Sequence, residues 1–175
     1  MARLVHDWLD RELPDNVEIG PRSWLYSSYA FLHYRSNRIC GVRIGADSGI
    51  YYGTLFELGP NGAVDIGDYC SIVSAIIHSN SNVRIDEYAF ISHEVVISTS
   101  SFPVPGHWDD SELDISIGRN AWVGTRAILL GGTKLGEGAI IGAGAVVHGE
   151  IPPFAIAAGN PASVVGWARP KESRI

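Results

Sequence analysis

Imidazole is the side chain best suited to accept a proton at neutral pH, because its ordinary pKa of about 6.5 leaves it unprotonated yet still basic. The sequence holds six: His6, His33, His78, His93, His107 and His148. His78 closes the run SAIIH and is followed by the polar SNSN. It falls at the next six-residue step after Ile66 and Ile72, the spacing of an inward core position, which predicts a buried imidazole stacked under Phe56. A polar ring there carries a desolvation cost unless its nitrogens find partners, and Asn80 and Asn82 stand closest in sequence. His107 lies beside Trp108 in TSSFPVPGHWDDSELD, a stretch rich in prolines and acids. His93, in AFISHEVV, reads as a surface corner, and His6, His33 and His148 are assigned no function. No serine or cysteine is paired with a base as a covalent nucleophile would be. Cys40 and Cys70 match neither zinc-knuckle nor CxxC spacing and read as reduced, packed side chains.

The element that must position these groups is a repeat. Ile117, Val123, Leu129, Leu135, Ile141 and Val147 recur every six residues, and Ile44, Ile50 and Phe56, then Ile66 and Ile72, then Ile85, Ile91 and Ile97, carry the same beat in broken form. Six is neither a helical face nor a strand alternation, so the chain winds as a solenoid of short strands. Glycine follows the aliphatic residue again and again, as in IGADS, IGDYC, IGRNA, VGTRA and IGAGA. This predicts tight corners where coils stack closely. Residues 1–16 are expected to form a short helical cap, from the spacing of Leu4, Val5, Trp8 and Leu9 ahead of Pro14. The solenoid is expected over 17–168, interrupted by an extruded loop at 99–114 that has no six-residue beat, and 169–175 form a tail.

Composition fits one compact unit: 46% of the 175 residues are apolar, and the formal charge is -6 without any cluster of Lys or Arg. A nucleic-acid partner, which needs a basic stripe, is not expected. No apolar run approaches the ~20 residues of a membrane-spanning helix, and MARLVHDWLDREL is too charged for a secretory h-region, so the cytoplasm is the expected location.

Tandem [LIV]-G-x-x-x-x units leading from AWVGTRAILLGGTKLGEGAIIGAGAVV to AAGNPASVVG resemble the hexapeptide-repeat, or isoleucine-patch, acyltransferase superfamily, nearest its sugar, serine and xenobiotic O-acetyltransferase-like members. The likeness spans roughly residues 40–168. It implies an all-β, left-handed parallel β-helix of triangular coils, although most crossovers are right-handed. It also implies a homotrimer with sites between subunits, acetyl-CoA as co-substrate, no metal, and transfer of an acetyl group to a hydroxyl or amine of a small polar acceptor such as a sugar. The coenzyme's arm would follow Gly124, Thr125, Gly142 and Ala143 beside Trp122, with Lys134, Arg169 and Lys171 as the basic residues available to its phosphates. Asn80, Asn82, Phe102 and Trp108 would meet the acceptor.

The resemblance fails at one residue. The family carries its catalytic histidine directly before a proline of the extruded loop, whereas here Phe102 precedes Pro103. A base must then come from His107, in the same loop, or from His78. Failing both, the protein is a noncatalytic acyl-CoA-binding or scaffold trimer. γ-Class carbonic anhydrases share the fold and hold zinc through three histidines. On that match His93 is in place, but Ser98 stands where a further ligand is expected, so the set is incomplete.

Overall fold

The computed structural model describes residues 3–99 and 113–168. They form a β-solenoid whose coils each lay down three short strands. The first coil runs β1 (Val17–Ile19), β2 (Trp24–Leu25) and a 3₁₀ turn at Ser28–Phe31 in place of a third strand. The second holds β3 (Val42–Ile44), β4 (Gly49–Ile50) and β5 (Leu55–Leu58), and the third β6 (Ala63–Ile66), β7 (Ser71–Ile72) and β8 (Ile76–Ser79). The fourth comprises β9 (Asn82–Ile85), β10 (Phe90–Ile91) and β11 (Val96–Ser98), and the fifth β12 (Ile115–Ile117), β13 (Trp122–Val123) and β14 (Ile128–Leu130). The sixth is β15 (Lys134–Leu135), β16 (Ile140–Ile141) and β17 (Val146–Val147). β18 (Glu150–Ile151), β19 (Ala155–Gly159) and β20 (Ala162–Trp167) finish the stack.

Corresponding strands stack into three parallel sheets of seven, eight and five strands, the faces of a left-handed triangular prism. The antiparallel β19–β20 hairpin, built on the GNPASVVG segment, closes the second sheet. Register keeps like over like: Ile44 pairs with Ile66, Ile50 with Ile72, Ile117 with Leu135 and Val123 with Ile141. These side chains are almost completely buried and fill the interior as continuous aliphatic columns. That burial is why so short a strand holds together: one face of every coil reaches the core, and each neighbour repeats it.

The corners revise the expected role of glycine. The left-handed position of the corner between the first and second sheets is taken by Arg22, Asp47, Tyr69, Tyr88, Asn120 and Phe154, with φ of 54–61°, and by Gly138 in the sixth coil at 63°. Apart from Gly138, the glycines of this corner stand two residues earlier, where coils nearly touch. A Cβ on Gly67 would lie 2.6 Å from the Glu87 backbone nitrogen, and one on Gly118 would lie 2.7 Å from the Leu135 carbonyl oxygen. Close stacking, more than backbone conformation, calls for glycine there.

The helix expected over 1–16 does not form. From Arg3 onward the described residues are turns and extended chain, Val5 is fully exposed, and Asp10 has φ 48°. So short a helix nucleates poorly, and the segment finds better partners on the first coil. The Asp7 carboxylate accepts hydrogen bonds from the Ser27 hydroxyl at 2.7 Å and the Ser28 N–H at 2.8 Å. His6 stacks on Trp24 at 4.1 Å with Nε2 2.8 Å from the Leu25 carbonyl, and Leu13 enters the core. The segment is a strap across the early coils. Residues 100–112, most of the loop expected at 99–114, and residues 169–175, the expected tail, lie outside the described residues, and with them Phe102, His107, Trp108, Arg169 and Lys171.

Candidate functional site

His78 does not point inward. The corner between Ile66 and β7 holds Gly67, Asp68, Tyr69 and Cys70, but the one between Ile72 and β8 holds only Val73, Ser74 and Ala75. With one residue fewer, the inward position falls on Ile77 and every later side chain of β8 changes face. Ile77 pairs with Phe56 on one side and Ile97 on the other, while Phe56 stacks on Phe31 at 5.1 Å. His78 turns outward instead, its side chain 52% exposed.

That flip creates an outward column on the third sheet, in which His78 stands in register between Glu57 of β5 and Ser98 of β11. The imidazole Nδ1 lies 3.5 Å from Glu57 Oε2. A carboxylate within ion-pair reach of one ring nitrogen can orient an imidazole and leave Nε2 to take a substrate proton, the division of labour in base-assisted acyl transfer. Glu57 escaped the sequence reading because it is one coil away from His78; only the length of that coil could have revealed it.

The polar residues after His78 serve the loop's roots. Thr99 donates its N–H to the His78 carbonyl at 3.1 Å, and its hydroxyl bonds the buried Ser79 hydroxyl at 2.9 Å. The Asn80 N–H donates to the same Thr99 hydroxyl at 3.2 Å, while the Asn80 side-chain carbonyl accepts from the Asn61 N–H at 3.0 Å. On the far side of residues 100–112, Asp114 accepts from the Ser81 hydroxyl and from the Asn82 N–H and Nδ2, the last two at 2.9 Å. Asn80 and Asn82 therefore tie down the flanks of the loop, and Thr99 and Asp114 are both anchored to the corner that directly follows His78.

The expected coenzyme track is partly assembled. Trp122 is 54% exposed on the second sheet and meets Phe90 edge-on at 6.1 Å. Gly124–Thr125 and Gly142–Ala143 occupy stacked corners between the second and third sheets, joined by the Gly144 N–H to the Thr125 carbonyl at 2.9 Å. Coil stacking already accounts for Gly124, where a Cβ would lie 2.7 Å from the Ile141 carbonyl oxygen. Lys134 is not brought to this track within one chain: it lies on the first sheet, in register with Glu150. His93 is exposed at a corner, and among the described residues no three His, Cys, Asp or Glu side chains converge as a metal site requires.

Residues 114–149 match the family model for the bacterial transferase hexapeptide, six repeats. The chain is 32% identical over 129 residues to chloramphenicol acetyltransferase of Agrobacterium fabrum, covering 67% of this chain and 62% of that one. The chain belongs to the hexapeptide-repeat acyltransferase superfamily. A second hexapeptide-repeat relative, the galactoside O-acetyltransferase of Escherichia coli, is 27% identical over 126 residues, 70% of this chain and 62% of its own. The chain thus spans about three fifths of the length of each of these relatives. AntD, an N-acyltransferase from Bacillus cereus solved with dTDP-4-amino-4,6-dideoxyglucose and coenzyme A, shares the hexapeptide-repeat fold. It superposes with a TM-score of 0.70 at 18% identity, covering 89% of this chain and 85% of its own.

Proposed function

We propose that this hexapeptide-repeat protein transfers an acetyl group from acetyl-CoA to a hydroxyl or amine of a small polar, sugar-linked acceptor, with His78 as general base. One observation carries the reading: an exposed imidazole paired with Glu57, beside a corner to which both flanks of the extruded loop are bonded. The names of the matched relatives and the coenzyme A bound to a structural neighbour support the donor and the reaction class.

The step is a direct transfer. As the acceptor oxygen or nitrogen forms its bond to the thioester carbonyl carbon, its proton passes to His78 Nε2. Collapse of the tetrahedral adduct breaks the C–S bond, and the imidazolium returns the proton to the departing thiolate. Glu57 holds the ring in the tautomer with Nε2 unprotonated and offsets the positive charge that forms. Coenzyme A is assigned to the corner track beside Trp122, and a cytoplasmic homotrimer is the proposed state. Exposed Phe90 and Trp122, stacked on the second sheet, give three prisms an apolar surface to pack on.

The test is thiol release from acetyl-CoA with a panel of neutral and amino sugars. His78→Ala is expected to lower kcat by ~10²-fold or more, Glu57→Gln less, and His107→Ala little. Calorimetry should show acetyl-CoA binding unchanged in all three. Full activity in His78→Ala with loss in His107→Ala would move the base to the loop. Acetyl-CoA binding with no turnover of any acceptor would favour the noncatalytic trimer, for which Phe102 in place of the family histidine argues.

A further inference from the structure

A groove of about 300 Å³ opens beside the corner between the second and third sheets, on the first two coils, lined by Trp8, Tyr26, Tyr29, Tyr51 and Tyr52. Its aromatic rings are presented rather than packed away: Trp8 is 65% and Tyr52 70% exposed. Tyr26 meets Tyr52 edge-on at 5.3 Å, and Trp8, carried by the N-terminal strap, tilts against Tyr29 at 5.9 Å. The strap holds Trp8 there because the next residue back, Asp7, is bonded to Ser27 and Ser28 and His6 is stacked on Trp24. The site is therefore built by three separate segments, the strap and two successive coils, and does not depend on a single exposed side chain.

Its chemistry is specific in two respects. Among the described residues no charged side chain lines it, so an ionised ligand would lose water there without a counter-charge. Four phenol hydroxyls stand around apolar ring faces, and none of them makes a hydrogen bond to another described residue. Apolar faces rimmed by free hydroxyls complement a ring that has C–H faces and a hydroxyl edge. The location matters as well. Thr54 lines the groove, and Glu57, partner of His78, lies three residues farther along extended chain, ~10 Å away.

We propose that this groove seats an uncharged pyranose ring of the acceptor, leaving a neighbouring hydroxyl or amine of the same molecule to reach His78. The assignment rests on the transfer reading for its purpose, but its binding step does not require turnover. The groove thereby sets which acceptors the protein takes: neutral glycosides over sugar phosphates or sugar acids.

Calorimetric or saturation-transfer titration with methyl β-D-galactopyranoside, methyl α-D-glucopyranoside and N-acetylglucosamine, without acetyl-CoA, tests this. Saturable binding of at least one in the millimolar range is expected, weakened ~tenfold by Trp8→Ala and by Tyr52→Ala. Both side chains are exposed, so their removal should leave the fold and acetyl-CoA affinity intact, and His78→Ala should bind the sugar as the parent does. Absence of saturable binding by all three sugars would overturn the proposal. So would sugar binding untouched by both substitutions, or phenol binding as tightly as the sugars. Failure to bind acetyl-CoA while sugars bind would remove the transfer reaction and leave the groove as a carbohydrate site.

Discussion

At the residue scale, the decisive facts are which face a side chain takes and what stands next to it. His78 and Cys70 show opposite outcomes of one corner rule. Cys70 occupies the inward corner position, and burial pushes its thiol up to about 11, so it stays protonated and inert at neutral pH. His78, one position out of phase, faces solvent with a carboxylate beside it. Asp7 is the residue whose ionisation the fold exploits most. Burial alone would raise its carboxyl, but hydrogen bonding from the Ser27 hydroxyl and from the Ser28 and Leu9 N–H groups outweighs that and brings it down to about 2 from 3.8. A depressed folded-state pKa means the stabilisation is complete above pH 3.8 and is lost as pH falls from there toward 2. Asp7→Asn should therefore cost ~1 kcal/mol at pH 7. Urea denaturation should show the gap between parent and variant closing below pH 3.8.

At the element scale, coil contact and corner conformation make separable demands. Gly118 needs its missing Cβ because a carbonyl oxygen of the next coil is 2.7 Å from where that atom would be, whereas Gly144 has φ 68° and nothing within 4 Å of the same point. Gly118→Ala must push two backbones apart and should cost roughly 2–3 kcal/mol. Gly144→Asn asks only for a conformation that Asn120 already adopts at φ 55° and should stay within ~0.5 kcal/mol of the parent. Shifts in urea midpoint check both. Equal losses would mean that corner conformation, rather than coil spacing, governs these positions.

At the scale of the whole molecule, the prism places the Glu57–His78 column on one sheet, small-residue corners at its edge and an aromatic groove at its early coils. If the corner track holds the coenzyme, acetyl-CoA at ~100 times its Kd should raise the unfolding free energy by about 2.7 kcal/mol. Sedimentation should give a trimer, with activity falling on dilution below its dissociation constant. A monomeric species with full activity would refute sites shared between subunits. The solenoid was legible in the chain alone, because hydrophobic burial repeats with the coil and Ile117, Val123 and Leu129 write that period directly into it. The family-like AAGNPASVVG segment was legible as well, but not that it folds back as an antiparallel hairpin. The sequence misjudged the N-terminal strap, since Asp7 and His6 are held by the first coil rather than by their own neighbours. It misjudged His78 for a related reason: a six-residue count carries no record of the short corner at Val73–Ser74–Ala75. Only pairing of β8 with β5 and β11 fixes which residue faces inward. Periodicity is local and survives in the sequence; the phase of one strand and the partner one coil away are long-range properties, set only when the coils stack.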